Sequence, residues 1–170
     1  AILATDGFEE SELREPREAL LQAGAFVDLI SLEAGAIKGW KDGDWGDTEQ
    51  VDRAVADANP DDYDALLLPG GVMNPDKLRT NADAVAFVRA FFDQHKPVAA
   101  ICHGGSVLVS AGILKGKKAT SYKSIRDDMV LAGAEWVDEP VVVSGKLVTS
   151  RTPSDLPAFG RALVEALGSK

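Results

Sequence analysis

Short apolar runs alternate with longer amphipathic segments along the chain, a pattern that is typical of parallel strands joined by helices. The run D-A-L-L-L-P at 64–69 is apolar through its middle, as expected of a central strand covered on both faces. The predicted strands are Ala1–Thr5, Phe26–Ser31, Asp64–Pro69, Pro97–Ile101 and Lys118–Ser121, followed by a hairpin of Val141–Val143 and Leu147–Ser150 around the turn-prone pair Ser144-Gly145.

Helices are predicted between these strands wherever apolar residues recur at helical spacing. They are a helix from the acidic loop to Leu21, in which Pro16 is a candidate kink, and the segments Ala82–Gln94, Gly104–Ala111, Ser124–Ala132 and Ser154–Leu167. The stretch from Gly35 to Asn59 shows no clear pattern, although it contains Trp40 and Trp45. The whole pattern predicts a mostly parallel α/β sheet with helices on both faces, in a single domain over 1–170.

Composition narrows the classes of function. The 170 residues are 45% hydrophobic and carry a net charge of −9, which repels nucleic-acid phosphates and anionic membranes alike. No apolar run is long enough to span a membrane, and no basic-then-apolar leader opens the chain. One cysteine excludes an internal disulfide. We therefore expect a cytoplasmic protein that binds neither nucleic acid stably nor a membrane.

The single cysteine, Cys102, stands where the apolar run 98–101 gives way to His103-Gly104-Gly105 and a predicted helix. A thiol at such an elbow points toward the unpaired amides of the next helix, whose partial positive charge favours the thiolate. The alternative is a buried cysteine that only fills space. Because glycines follow the elbow and leave little bulk over the sulfur, and because His103 is a candidate base, we predict an exposed, reactive Cys102.

Two further segments are expected beside Cys102, because ligands of doubly wound sheets bind beyond the carboxyl ends of the strands. Gly70-Gly71 follows the strand at 64–69 and could turn backbone amides toward a ligand as an oxyanion hole, or could be a plain tight turn. Asn74-Pro75-Asp76-Lys77 offers an acid that could orient an imidazole, or a loop that caps a helix.

The acidic loop D-G-F-E-E-S-E at 6–12 is the third candidate segment. Carboxylates at a helix start usually lie on the surface and stabilise the helix dipole, which is the interpretation we favour for Glu9 and Glu10. Glu12 differs if it faces the crevice. Near a thiolate, like charge and desolvation would raise its pKa, so that the protonated carboxyl could donate a hydrogen bond.

These motifs occur in one order along nearly the whole chain. They are D-G-F-E-E-S-E-L at 6–13, L-L-L-P-G-G at 66–71, A-I-C-H-G at 100–104 and T-S-Y-K-S-I-R-D-D-M-V-L-A-G-A-E-W-V-D-E-P-V-V-V at 120–143. In this combination the chain resembles the ThiJ/PfpI superfamily, and specifically its PfpI-like intracellular protease and general stress protein branch. The resemblance implies a flavodoxin-like three-layer sandwich, related to the class I glutamine amidotransferase domain, with a nucleophile elbow after a central strand.

The resemblance also implies roles for individual residues. Cys102 would be the nucleophile, His103 its partner, and a protonated Glu12 would hydrogen-bond the sulfur. Asp76 matches an acid that reaches the histidine from a neighbouring subunit, so that a homodimer or a hexamer built from three dimers is expected. Substrate would contact Gly71, whose amide would serve the oxyanion with that of His103 as a second donor, and Gly70, Gly104 and Tyr122.

Two positions depart from the family pattern. Gly105 stands where proline is usual, which would leave the first helical turn less rigid. Asp76 stands where glutamate is common, and its side chain is one methylene shorter, which affects the expected contact between subunits. Neither departure involves Cys102 or Glu12.

Other enzyme classes lack residues that their chemistry needs. A glutamine amidotransferase requires a histidine late in the chain, yet neither His95 nor His103 lies beyond residue 103. One cysteine and two histidines give no zinc-ligand spacing, so no metal is expected. No G-x-G-x-x-G occurs, and 112–117 is one residue short of a phosphate-binding loop, so no nucleotide cofactor is expected. Ser106 has no plausible base of its own.

Two hypotheses of different classes remain. In the first, Cys102 attacks the aldehyde carbon of a dicarbonyl such as methylglyoxal or of an early glycation adduct, because the family is described as glyoxalase and as deglycase. Amide hydrolysis by an intracellular cysteine peptidase is the harder reaction and ranks below it. In the second, Cys102 oxidises to sulfenic and sulfinic acid and acts as a redox sensor or chaperone switch.

Overall fold

A seven-stranded sheet forms the centre of the computed structural model, which describes residues 1–168. In chain order the elements are β1 (Ile2–Leu3), β2 (Phe8–Glu9), α1 (Glu10–Gln22), β3 (Leu29–Ser31), β4 (Gly35–Lys41), β5 (Asp44–Val51), β6 (Arg53–Ala54), β7 (Leu66–Leu68), α2 (Met73–Leu78), α3 (Ala82–Asp93), β8 (Val98–Ile101), α4 (Gly105–Ala111), β9 (Lys118–Ala119), α5 (Arg126–Leu131), β10 (Glu135–Trp136), β11 (Val141–Ser144), β12 (Leu147–Ser150) and α6 (Leu156–Gly168).

The strand order of the central sheet is β11-β12-β8-β7-β1-β3-β6. Every neighbouring pair is parallel except β11 and β12, which form the predicted antiparallel hairpin. Strands β7 and β8 therefore lie side by side near the middle, and their carboxyl ends meet at one edge of the sheet. The predicted mostly parallel α/β sheet is confirmed.

Two apolar cores cover the two faces of this sheet, as alternation along a strand requires. In β7, Leu66 and Leu68 pack into one core and Leu67 packs into the other. The first core holds Phe87 and Val88 of α3, whereas α1 and α6 pack on the opposite face. The predicted three-layer sandwich, with helices on both faces, is confirmed.

The stretch 35–59, which had no legible pattern, forms an antiparallel hairpin of β4 and β5. Strand β4 also pairs with β2, so this hairpin lies outside the central sheet. Most of its side chains are exposed, and the two buried positions of β4, Ile37 and Gly39, are too few to give a clear alternation of apolar residues. Its tip brings Trp40 opposite Trp45, with the two rings edge to face.

Several predicted boundaries are corrected. The strand expected at 118–121 is only Lys118–Ala119, and it pairs with β10 in a separate two-stranded sheet. The helices expected from Ser124 and Ser154 begin at Arg126 and Leu156, because a 3₁₀ turn precedes each. Helix α1 runs through Pro16 as one continuous element. Among residues 1–168, no helix is both long and apolar enough to cross a bilayer.

Candidate active site

The cysteine elbow lies at the carboxyl end of β8. Cys102 has φ of +60°, which is a left-handed conformation that residues other than glycine rarely adopt. It opens a 3₁₀ turn at 102–104 that leads directly into α4. The turn lifts the side chain off the strand, as the sequence predicted for a nucleophile elbow.

The thiol itself is more enclosed than the sequence predicted. Cys102 is only 8% exposed, so the expectation of an open sulfur is wrong. Burial raises the pKa of the Cys102 thiol, and a negative charge on the nearby Glu12 would raise it further. The backbone amides of His103 and Gly71 act in the opposite direction by hydrogen bonding to the sulfur. The resting group is therefore a protonated thiol, and it needs a base to become a nucleophile.

Glu12 is fully buried in the first turns of α1. Its Oε1 accepts a hydrogen bond from the amide of Gly70 at 3.0 Å, and its Oε2 has no hydrogen-bond partner by distance and angle within residues 1–168. Burial raises the pKa of Glu12 to about 8, and the charge of Glu9 adds to the effect. A carboxyl with one unpartnered oxygen in such a place holds a proton, and interaction with Cys102 couples the two groups.

Because two anions cannot form side by side in a buried site, Glu12 and Cys102 carry at most one negative charge between them near neutral pH. A protonated Glu12 is free to donate to the sulfur, which would favour the thiolate when it forms. The placement expected of Glu12 in the crevice is thus what the structure contains, and its catalytic role stays a proposal.

His103 lies beside the thiol on the same turn. Its Nδ1 is 3.2 Å from Sγ of Cys102, and its Nε2 is 3.0 Å from Oγ of Ser124. The imidazole stacks on the ring of Tyr122, with centroids 4.7 Å apart. Burial lowers the pKa of His103, so the ring is neutral near pH 7 and able to accept a proton.

The glycines differ in what they do. Gly71 has φ of +77°, and a side chain there would collide with the carbonyl of Gly7, so only glycine fits. The amide of Gly70 is occupied by Glu12, so this glycine supports the carboxyl instead of facing a ligand. An added Cβ at Gly104 would lie 2.7 Å from the carbonyl oxygen of Leu68, so Gly104 lets the elbow pack on β7.

Asn74, which lies in the segment predicted as a loop that caps a helix, supports the site from within α2. It is fully buried in α2, accepts from the amide of Thr5 at 2.8 Å and donates to the carbonyls of Pro69 and Gly70 at 3.0 Å. It therefore fixes the glycine turn to β1. No sequence motif indicates this supporting role of Asn74, which is evident only from its hydrogen bonds in the fold.

Asp76 lies on the exposed side of α2. Within residues 1–168, no hydrogen bond or ion pair connects it to His103, whose Nε2 is instead occupied by Ser124. An exposed carboxylate without a hydrogen-bond or ion-pair partner among residues 1–168 is compatible with the expected contact from another subunit, which stays a prediction. Ser106, the residue that could suggest a serine hydrolase, donates its hydroxyl to the carbonyl of His103 at 2.9 Å.

Glu10 does not lie on the surface as predicted. It is 4% exposed and pairs with Arg14, which also contacts Glu49 of β5 at 2.9 Å. Arg17 binds the same Glu49 at 3.0 Å. These ion pairs attach the β4–β5 hairpin to α1, and the tertiary partners of the carboxylates could not be read from the loop sequence.

A cavity of about 350 Å³ opens over the thiol. The lining is mostly apolar. Besides the thiol, its ionisable groups are two carboxyls and one imidazole, and Trp40 reaches the cavity from the β4–β5 hairpin. The lining residues are Gly7, Glu9, Glu12, Trp40, Gly71, Val72, Met73, Cys102, His103 and Pro153. Within residues 1–168, no group of three or more His, Cys, Asp or Glu side chains is placed to hold a metal ion.

The fold and the elbow together define an α/β protein of the cysteine-nucleophile type. The chain belongs to the DJ-1/PfpI family, whose model matches residues 1–166. It is 47% identical over 166 residues to the deglycase PfpI of Pyrococcus furiosus, covering 98% of this chain and 97% of that protein. It is 48% identical over 162 residues to general stress protein 18 of Bacillus subtilis, covering 95% and 92%.

Comparison with a solved structure shows that the similarity to this family extends to the fold. The crystal structure of Drosophila melanogaster DJ-1beta superposes with a TM-score of 0.89 at 29% identity, covering 99% of this chain and 89% of that one. The family and the flavodoxin-like fold implied by the sequence motifs are therefore confirmed.

Proposed function

We propose that this protein is a cysteine-dependent enzyme that acts on reactive dicarbonyls or on the early adducts that they form with amines. One observation carries the proposal: the Cys102 thiol lies 3.2 Å from a neutral imidazole, beside a buried carboxyl and two backbone amides, at the base of a cavity. The names deglycase and general stress protein, given to relatives at 47% and 48% identity, support it.

The first step would form a carbon–sulfur bond. The thiol proton passes to Nδ1 of His103 as Sγ attacks the aldehyde carbon, and the carbonyl electron pair moves onto oxygen. The amides of His103 and Gly71, which already point at the sulfur, stabilise the negative charge in this corner of the site. Return of the proton to the oxygen gives a neutral hemithioacetal.

The following steps release the product and restore the thiol. With methylglyoxal, one proton moves from the carbon bound to sulfur onto the neighbouring carbon, and the hydroxyl proton moves onto the oxygen of that carbon, which together convert the hemithioacetal into a thioester of lactate. Water then cleaves the thioester, so that one methylglyoxal and one water give one lactate. With an amine adduct, sulfur replaces the amine, which leaves with one proton, and the later steps are the same.

We favour carbonyl chemistry over amide hydrolysis. A peptidase must break a resonance-stabilised amide and expel its amine, whereas attack on a free aldehyde needs no leaving group and the amine of an early adduct is held by no amide bond. The cavity of about 350 Å³ is also of a size for a small molecule or one side chain. Peptide cleavage by the purified protein remains the alternative to be assayed in parallel.

A redox role is the second candidate, and a specific feature favours it. Oε2 of Glu12 is buried and has no hydrogen-bond partner among residues 1–168, and it lies next to a sulfur to which a protonated carboxyl would donate. That donor would stabilise a sulfinate oxygen as well as a thiolate. If intact mass after mild peroxide shows no added oxygen at Cys102, the sensor role is excluded.

The proposal includes a cytoplasmic location and an oligomeric state. A reducing cytoplasm would keep the lone Cys102 as a thiol, and no disulfide partner exists in the chain. We further propose a homodimer or a hexamer of three dimers, in which the exposed Asp76 would meet a neighbouring subunit.

The function is tested with a preformed adduct of methylglyoxal and N-acetylarginine. An excess of aminoguanidine, which traps free methylglyoxal, gives the spontaneous rate of adduct breakdown. We expect the protein to release N-acetylarginine faster than this rate, and Cys102→Ser to remain at it. Release at the spontaneous rate together with lactate formation from free methylglyoxal would restrict the activity to the glyoxalase reaction. If the protein neither releases N-acetylarginine above the spontaneous rate nor forms lactate, the proposal is contradicted.

A further inference from the structure

Three contacts hold the imidazole of His103. Its Nδ1 is 3.2 Å from Sγ of Cys102, one face stacks on Tyr122, and Nε2 is 3.0 Å from Oγ of Ser124. Tyr122 is itself tied to the elbow, because its amide donates to the carbonyl of Cys102 at 3.1 Å. Ser124 lies two residues further along, in the 3₁₀ turn before α5.

We propose that Ser124 is a positioning residue for His103, whose hydroxyl oxygen accepts the Nε2 proton and so leaves the Nδ1 lone pair facing Cys102. This inference rests on the proposed role of His103 as the base. Neutral imidazole carries one proton, and the hydrogen bond made by one nitrogen decides which nitrogen holds it. A ring with its proton on Nδ1 could not accept the proton of the thiol.

The neighbours of the thiol favour the same arrangement. A resting thiol has one proton to donate, and Nδ1 is the nitrogen within reach. When Glu12 is protonated, its carboxyl can donate toward sulfur, and the thiol proton is then left for Nδ1 of His103. The donors then point in one direction, from Glu12 to sulfur, from sulfur to Nδ1, and from Nε2 to Ser124.

The arrangement also needs no rearrangement during proton transfer. When Nδ1 takes the thiol proton, the imidazolium donates from both nitrogens, and Ser124 Oγ accepts from Nε2 in both states. A hydroxyl has two lone pairs and one proton, so Ser124 can accept from His103 while its own proton points to solvent. The serine is exposed, which leaves that direction open.

Ser124 contacts Nε2 of His103 within one chain, so the acid expected from another subunit would meet an imidazole that is already oriented. Within residues 1–168, Asp76 makes no contact with His103, whereas Ser124 reaches it directly. One subunit therefore already holds its base in the orientation that catalysis needs, before any contact with a second copy.

The test reads the proton position directly. The chain has only two histidines, His95 and His103, so ¹⁵N-labelled protein gives two assignable imidazoles, and His95 serves as the internal reference. At pH 7.5, in the full-length protein without substrate, we expect His103 to be protonated on Nε2. Ser124→Ala should shift His103 toward a mixture of both tautomers, whereas Ser124→Thr, which keeps the hydroxyl, should retain the Nε2 form.

Kinetics on methylglyoxal give a second readout. Loss of one neutral hydrogen bond predicts a kcat about three- to tenfold lower in Ser124→Ala, with KM unchanged and recovery in Ser124→Thr. Ser110→Ala is the matched control, since Ser110 is also exposed and accepts one side-chain hydrogen bond, from Arg79 at 3.0 Å. It should change neither the tautomer nor kcat.

Two results would overturn the inference: a wild-type His103 protonated on Nδ1, or a Ser124→Ala variant with an unchanged tautomer. Both are independent of turnover. If the tautomer and its response are as expected but no carbonyl substrate is consumed, the proposed function fails while the positioning role of Ser124 stands.

Discussion

The amide of Gly70 donates to Oε1 of Glu12 at 3.0 Å, which joins the end of β7 to the first turns of α1. This bond satisfies one oxygen of a fully buried carboxyl and leaves the other as the place for a proton. Glu12 is thus held neutral at the side of Cys102, and the elbow has a hydrogen-bond donor that does not add charge to a buried site.

The protonation of Glu12 predicts how stability depends on pH. Because its pKa rises from an ordinary value of 4.5 to about 8 in the folded protein, the folded state binds this proton more tightly than the unfolded chain. The free energy of unfolding should therefore fall as pH rises from about 5 to 8, by up to about 1.4 kcal/mol per pH unit from this group.

Glu12→Gln should remove that slope while keeping an acceptor for Gly70. Urea unfolding at a series of pH values measures it, with Glu15→Gln as the control, since Glu15 is an exposed carboxylate on the same helix. Equal slopes in the wild type and Glu12→Gln would show that Glu12 is ionised in the folded protein throughout this range.

Two adjacent glycines should respond differently to alanine. At Gly104 the added Cβ would lie 2.7 Å from a backbone oxygen of Leu68, which cannot move away without disturbing β7. At Gly105 the nearest atom is the flexible Sδ of Met129 at 3.0 Å, and alanine is favoured in a helix. We expect thermal and urea unfolding to show a loss of about 2 kcal/mol or more for Gly104→Ala and less than about 1 kcal/mol for Gly105→Ala. Similar losses at both positions would argue against the packing described for the elbow.

Trp40 should contribute to substrate binding and not to the proton transfers. It lines the cavity and is held by Trp45, with ring centroids 5.3 Å apart. Trp40→Ala should raise KM for an arginine adduct by about five- to thirtyfold, since burial of an aromatic face is worth roughly 1–2 kcal/mol. Trp40→Phe should recover most of the loss. An unchanged KM would exclude the hairpin from the binding site.

Asp76→Ala tests whether Asp76 contributes to activity in the assembled protein without contributing to the stability of the fold. Since Asp76 is exposed, its removal should change the free energy of unfolding by less than about 0.5 kcal/mol. We expect a lower kcat in the assembled protein, with the mass measured by light scattering on the same sample. A strictly monomeric wild type with full activity would show that Asp76 has no role in the site.

The parts of the structure that could be predicted share one property: they are buried, and runs of apolar residues in the sequence indicate this burial. The run at 98–101 is buried on both faces and ends at Cys102, so the strand, the elbow and the neighbouring glycine turn could be inferred from hydrophobicity and glycine alone. The hairpin at 35–51 is mostly exposed, and its strands could not be recognised in the same way.

The contacts that complete the site were not predictable for a different reason. Asn74 and Ser124 act through partners 69 and 21 residues away, at Thr5 and His103, and nothing in their local sequence indicates these partners. The enclosure of Cys102 was also missed, because the residues that surround the cavity beside it come from the distant segments 7–12 and 71–73 and from Trp40. Local spacing predicted where the thiol lies, and tertiary packing decides its protonation.

The most direct test of the central claim is the rate of lactate formation from methylglyoxal by the wild type and by Cys102→Ser, compared at equal concentration near pH 7.5. Serine is nearly isosteric but is a far weaker nucleophile, so the fold should persist, as circular dichroism would verify. We expect turnover by the wild type and a loss of at least about 100-fold in the variant. Turnover that survives the substitution would contradict the central claim.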